Sequence, residues 1–245
     1  MSRGAELVRT GLRGVGQTLI TLGVIVLLFV VYELQVTGVV AARAQDRLGD
    51  ELARSWSEVP RQPVAASAEG EPAPEVPAPA PVPALVPVLG GAFARLHVPA
   101  LEGYEPKSVV EGVSVEDLKQ GGPGHIPGTA LPGEVGNVVL SGHRTTYGAP
   151  FNRWDELTPG DLVVLETRDG WFTYRITGSQ VVLPNAVEVT FPVPGERDAT
   201  PTRRLLTMTT CNPEYSARER LIVSAELTEA ADKAAGRPAA LQASG

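Results

Sequence analysis

Residues 203–228 read RRLLTMTTCNPEYSARERLIVSAELT, two apolar runs of strand length separated by a polar turn that opens on Asn212-Pro213. The Asn-Pro step ends the first run, because proline brings no N–H to a ladder and excludes the residue before it from the helical region. Alternation divides the first run into two faces, with Leu206, Met208 and Thr210 on one and Leu205, Thr207, Thr209 and Cys211 on the other. On the return, Leu221, Val223, Ala225 and Leu227 form a core-facing row, so Arg220 and Ser224 point the other way. Glu214, Arg218 and Glu219 are read as part of the intervening loop. Cys211 comes at the end of a strand, beside a loop, where a thiol is more accessible than at mid-strand.

The same period-2 reading extends upstream. FARLHV (93–98), SVVEG (108–112) and VGNVVLSG (135–142) are strands punctuated by glycine and proline. LVVLETRDGWFTYRIT (162–177) is a hairpin in which Asp169-Gly170 supplies a two-residue turn, placing Thr167 opposite Phe172 and Leu165 opposite Tyr174. Short helical turns are expected at SVEDLKQG, with Ser114 as cap and Asp117 at its third position, and at APFNRWDEL. Residues 91–228 thus form one mostly β domain. Trp154 and Trp171 are read as packing residues, and Glu111, Glu116 and Asp117 as solvated charges and a helix start.

Outside this domain the chain changes character. Between Arg13 and Glu33 lie nineteen uncharged residues, GVGQTLITLGVIVLLFVVY, which as a helix span roughly 28 Å and match the hydrocarbon of a bilayer. Arg3, Arg9 and Arg13 precede it against the single Glu6, so residues 1–13 are expected in the cytoplasm, 14–40 as the transmembrane anchor region and the remainder outside. ARA at 42–44 resembles a cleavage site. However, the apolar run is longer than a signal-peptide core and Glu33 intervenes, which favours an uncleaved single-pass anchor. Nine prolines in residues 60–87 mark a Pro/Ala-rich linker, assigned to 41–90, whose extended length of roughly 85 Å sets an upper bound on stand-off from the membrane. Residues 229–245, Ala-rich and without an apolar face, are expected to be a disordered tail. A net charge of −7 without a basic, aromatic-interleaved patch excludes a nucleic-acid partner.

Cys211 is the only cysteine of the 245 residues. As a lone thiol in an exported chain it is a buried hydrophobe, half of an intermolecular disulfide or a reactive nucleophile. A reactive thiol needs a nearby base or imidazolium, and a fixed cation for a developing oxyanion. Three histidines are available. His97 lies on a strand bounded by Pro99 and reads as structural, and His125 sits in a Gly/Pro-rich loop that it braces. His143 leaves the strand 137–140 through Ser141-Gly142, the same strand-end placement as Cys211. A pair so placed can meet across a groove.

LSGHR, then TMTTC far downstream, then Arg220 on the following strand resemble the sortase pattern of a strand-end His, a TLxTC motif and an Arg, with Met208 in place of the usual Leu. The likeness covers roughly Phe93 to Leu227, and GPGHIPGTALPGEVGN, GHRTTYGAPFNRWDEL and TTCNPEYSARERLIV are similar to the class E members of high-GC Gram-positive bacteria. The resemblance implies an eight-stranded β-barrel and a catalytic set of His143, Cys211 and Arg220, with Arg218 the competing arginine of the same parity. It also implies that Tyr104 helps to select the sorting signal, while Thr210, next to the thiol, is a further candidate to bind substrate. The implied activity is cleavage of an LAxTG- or LPxTG-type signal between Thr and Gly through a thioacyl-enzyme, followed by transfer to a peptidoglycan amine, without metal or cofactor. A pilin-polymerising role is disfavoured because no Asp-Pro lid motif precedes the domain. The remaining alternative, a non-catalytic anchored β-barrel binding module, leaves the convergence of His143, Cys211 and Arg220 unexplained.

Overall fold

The computed structural model describes residues 3–32, 36–58 and 87–242. Eight strands close a barrel: β1 (Ala92–His97), β2 (Lys107–Glu111), β3 (Gly124–His125), β4 (Gly136–Ser141), β5 (Leu162–Thr167), β6 (Gly170–Val182), β7 (Arg204–Asn212) and β8 (Glu219–Asp232). Their spatial order is β1-β2-β3-β4-β7-β8-β6-β5. The β2–β3 and β4–β7 pairs are parallel and the others antiparallel. Closure removes every sheet edge, which lets so short a strand as β3 persist. The interior is filled by alternate residues of each strand, among them Leu96, Val138, Leu140, Leu165, Leu206, Met208 and Val223, all fully or almost fully buried.

The β5–β6 hairpin pairs Leu165 with Phe172 and Glu166 with Trp171, two residues away from the expected register. The turn residues are Arg168 and Asp169, rather than Asp169-Gly170. Arg168 grips the Asp169 carboxylate through Nε and Nη2, each at 2.8 Å. The Thr167 hydroxyl accepts from the Gly170 N–H at 3.1 Å and donates to its carbonyl at 3.2 Å. A shift of two preserves the inward face, so the core assignment survives the error.

The short helical turn read at APFNRWDEL is the 3₁₀ turn Trp154–Glu156, with Trp154 fully buried. Two further expectations are corrected. Residues 229–232 are the end of β8 and pair with the start of β6. Beyond them Leu241 packs on Val164 and Trp171, so the described part of the tail, through residue 242, is ordered. Small alanines fit a covered strand edge without producing an apolar pattern. Glu111 is buried and paired with His125 Nδ1 at 2.6 Å, which also fixes His125 as a brace. The capping box of Ser114 and Asp117 on α3 (Val115–Leu118) forms as read.

At the N-terminus, α1 (Arg3–Val31) contains a stretch, Arg9–Val31, long and apolar enough to cross a membrane, with mean hydropathy 2.3 and none of it buried. The expected linker begins differently. Residues Thr37–Glu58 form α2, which packs on β1 and β2 through Ala41, Ala44, Leu48 and Leu52. Spacings of three and four residues put these on one helical face, but two alanines make it a weak apolar signal. Gln45 fastens the helix to the barrel. Its Oε1 accepts from Ser108 N at 2.7 Å, and its Nε2 donates to the carbonyls of Gln120 at 3.0 Å and Ser108 at 3.4 Å. Farther along, Lys233 Nζ lies 3.9 Å from the Trp171 ring centre and 4.7 Å from that of Trp56. It also pairs with Glu166, which accepts from or shares a proton with His97 Nε2 at 2.7 Å. Burial alone raises the Glu166 pKa, but its hydrogen bonds with His97 and Lys233 outweigh that and hold the carboxyl below its ordinary range. The remainder of the linker, 59–86, lies outside the described residues.

Candidate active site

Strand register brings the expected residues together. In the parallel β4–β7 pair, Ser141 is level with Thr209. The ladder continues one residue past β4, since Gly142 N donates to Thr209 O at 3.2 Å. The next residue, His143, therefore emerges level with Cys211. In the antiparallel β7–β8 pair, Cys211 is directly opposite Arg220. Three residues distant in sequence thus lie side by side across the ends of three neighbouring strands.

Side-chain parity decides what each presents. Thr210, Met208 and Leu206 point into the barrel and are buried, so Cys211, half-buried, is on the outer face with Arg220. The Thr210 hydroxyl is committed to the Gly142 carbonyl at 2.8 Å, where it ties the exit of β4 to β7. Arg220 Nη1 donates to the carbonyls of Ala217 at 3.1 Å and Glu219 at 2.9 Å, which fixes the guanidinium and leaves Nε and Nη2 without an acceptor among the described residues. Arg218 is exposed in the loop before β8. The His143 ring lies 5.1 Å from that of Tyr147, and burial lowers its pKa below the ordinary imidazole value, favouring the neutral base at rest.

An aromatic stack supports this arrangement from behind. A Cβ on Gly142 would come within 2.9 Å of the Phe151 ring, so only glycine fits there. Phe151 stacks on Trp154 with centroids 4.1 Å apart, and Trp154 meets Tyr104 at 5.7 Å. Tyr104 is therefore two rings removed from the Gly142 backbone. Its hydroxyl is buried without a hydrogen-bond partner among the described residues, and burial raises its pKa.

A polar network not foreseen from the sequence runs beside the three residues. Arg144, directly after His143, is buried and donates through Nη1 to Asn212 Oδ1 at 2.7 Å and to Cys211 O at 3.4 Å, while Nη2 pairs with Asp155 at 3.0 Å. Asn212 Nδ2 continues to Glu219 Oε2 at 3.0 Å. Arg144, Asn212 and Glu219 are the chain neighbours of His143, Cys211 and Arg220, so one chain of hydrogen bonds locks the three strand ends in register. Glu219 belongs to β8 rather than to the loop. Parity could have placed Asn212 and Glu219 on a common face, but nothing in a loop sequence predicts where Arg144 reaches. Arg144→Gln is expected to lower kcat about 10- to 100-fold with KM little changed, the loss of one or two charged hydrogen bonds. Steady-state kinetics, with Arg144→Lys as partial rescue, check this.

The outer face of β7 and β8 continues from Cys211–Arg220 to Thr207–Ser224. There it floors a cleft of about 470 Å³ walled by residues of the β6–β7 segment from Pro192 to Arg203. Asn137 holds that segment in place, with Nδ2 donating to the carbonyls of Val189 and Phe191, both at 3.1 Å.

A family model described as Sortase domain matches residues 96–228, more than half of the chain, a span that includes His143, Cys211 and Arg220. The chain belongs to the sortase family. Sortase SrtE1 of Streptomyces coelicolor is 34% identical over 236 residues, 94% of this chain, and the chain covers 60% of that relative's length. Sortase SrtE2 of the same organism is 35% identical over 222 residues, covering 86% of this chain and 80% of its own. Among solved structures, sortase E from Streptomyces avermitilis is 42% identical with a TM-score of 0.57, covering 63% of this sortase and 99% of that chain. The crystal structure of Sortase E1 from Streptomyces coelicolor with a tripeptide in its active site is 38% identical with a TM-score of 0.58, covering 62% and 97%. These relatives assign the sortase to class E.

Proposed function

We propose that this sortase is a membrane-anchored cysteine transpeptidase that cleaves an LAxTG- or LPxTG-type sorting signal between Thr and Gly and passes the protein to a peptidoglycan amine. The observation that supports the reading is the strand register, in which Cys211 is directly opposite Arg220 and the ladder from Ser141–Thr209 runs on toward His143. In the proposed reaction the Cys211 thiolate attacks the threonine carbonyl, forming a C–S bond. The C–N bond to glycine breaks as His143, as imidazolium, gives its proton to the departing amine. An incoming amine then loses a proton to neutral His143 and displaces the thiolate. The lowered pKa of His143 suits this second step, since the base form predominates near neutral pH.

Arg220 is assigned to the oxyanion and the substrate backbone, because its Nε and Nη2, without an acceptor among the described residues, supply a fixed charge at the level of Cys211. Tyr104 is assigned to the sorting signal by its likeness to the family, its hydroxyl being buried with no partner among the described residues, and Thr210 is assigned to holding β7 against the exit of β4 rather than to the substrate. The apolar helix α1 serves as the single-pass anchor, with Arg3, Arg9 and Arg13 on the cytoplasmic side and the barrel outside. Incubating the full-length protein with LAxTG and LPxTG peptides tests the reading. The expected products are a fragment ending in Thr and one beginning with Gly, with added amine diverting the first into a ligated product. Cleavage at another bond would overturn it.

A further inference from the structure

The fold contradicts the simple picture of a catalytic domain tethered on a long proline-rich leash. Both ends of residues 59–86 join elements that already lie on the barrel, α2 on one side and β1 on the other. The length of that segment therefore does not set how far the barrel stands from the membrane. The distance is set by the short path from the end of α1 at Val31 to the residues of α2 that touch the barrel.

That path is brief, and it leads to the active site. Ala41, fully buried, is the first α2 residue in the packed face. A Cβ on Gly121 (φ +84°) would fall 2.7 Å from the Ala41 Cβ, and one on Gly148 (φ +75°) would fall 3.5 Å from it. Gly148 follows Tyr147, whose ring lies against that of His143. Ten residues separate Val31 from Ala41, and with Thr37 to Ala41 helical the separation is at most about 27 Å even if the rest were fully extended. The exposed side of α2 grades accordingly. Val36, Val39 and Val40 are 42%, 51% and 54% exposed, a second apolar turn that follows Glu33 and Gln35 in the sequence. Arg43 and Arg47 follow on the next two turns, also exposed, with Asp46 between them and Asp50 and Glu51 beyond, farther from the apolar turn. An apolar turn followed by snorkelling arginines is the chemistry of a helix leaving the hydrocarbon through the phosphate layer.

We propose that the His143 side of the active-site mouth rests at the lipid headgroup surface, held there by α2 docked through Ala41 and Gln45, and that residues 59–86 play no part in setting its height. The proposal rests on α1 being the membrane anchor. The partner is the bilayer itself, and a reacting chain held in the same bilayer meets the thiol at headgroup height.

Depth measurement tests it. In a Cys211→Ala background, single cysteines at Val30, Arg43, Thr146 and Ser57 are labelled with an environment-sensitive fluorophore, and the full-length protein is placed in vesicles whose lipids carry a nitroxide on the headgroup or at mid-chain. The expected result is loss of Val30 fluorescence with mid-chain nitroxide and loss of Arg43 and Thr146 fluorescence with headgroup nitroxide. Ser57, about 24 Å farther along α2 from Ala41, stays bright. Duplicating residues 60–86 leaves all four values unchanged. Quenching at Val30 without quenching at Thr146, or a Thr146 signal that changes with linker length, overturns the proposal and leaves the anchor intact. Absence of quenching at Val30 removes the anchor, and the proposal with it.

Discussion

Replacing Cys211 by alanine lowers kcat/KM on a sorting-signal peptide by about 10⁴-fold or more, since the step that forms the covalent intermediate loses its only nucleophile. No other cysteine exists to substitute for it. The fold is untouched by the change. Cys211 is half-buried on the outer face of β7, its backbone pairing with Arg220 is independent of the side chain, and Met208 and Leu206 carry the core contacts of that strand. Thermal unfolding of the variant is therefore expected within about 0.5 kcal/mol of the parent, typical of a substitution away from the core. Peptide kinetics and unfolding measured on the same preparation separate loss of chemistry from loss of structure. A folded variant with unchanged turnover contradicts the assignment.

The second large effect belongs to Arg220. Truncation to alanine removes the fixed cation level with the thiol, and the expected loss is about 10²- to 10³-fold, mainly in kcat, as for deletion of an oxyanion donor. Arg220→Lys recovers only part. Nη1 is held by the Ala217 and Glu219 carbonyls while Nε and Nη2 are directed elsewhere, and a lysine ammonium cannot reproduce that planar division. Arg218→Ala is the internal control. Arg218 shares parity with Arg220 but is exposed in the loop before β8, so its removal leaves kcat nearly unchanged. Comparable losses for the two arginines would mean that charge near the loop, rather than the guanidinium beside Cys211, is what matters.

How much of this was legible in the sequence follows from which physical signals are local. Period-2 alternation is local, and it grouped the two faces of β7 correctly and read the core face of β8, with Arg220 off it; which face of β7 is outside came only from the barrel. Register is not wholly local. In the β5–β6 hairpin the Arg168–Asp169 ion pair and the Thr167 side chain outcompeted the expected Asp169-Gly170 turn. Partnerships between distant segments were invisible. The Glu111–His125 pair, the Arg144–Asn212–Glu219 network and the seat of α2 on Gly121 each depend on a neighbour that only the closed barrel supplies. The α2 face was readable in principle, at Ala41, Ala44, Leu48 and Leu52, but its alanines contribute little apolar contrast beside the proline-rich run that follows.

The central claim is that Cys211 carries the acyl group, and intact-mass analysis tests it most directly. The full-length protein is quenched with acid shortly after mixing with an LAxTG peptide, then digested. The account predicts a mass increase equal to the peptide through its threonine, lost on treatment with hydroxylamine, located on the fragment containing Cys211 and missing from Cys211→Ala. Peptide turnover with no adduct on Cys211, or with the same adduct on the alanine variant, would contradict it.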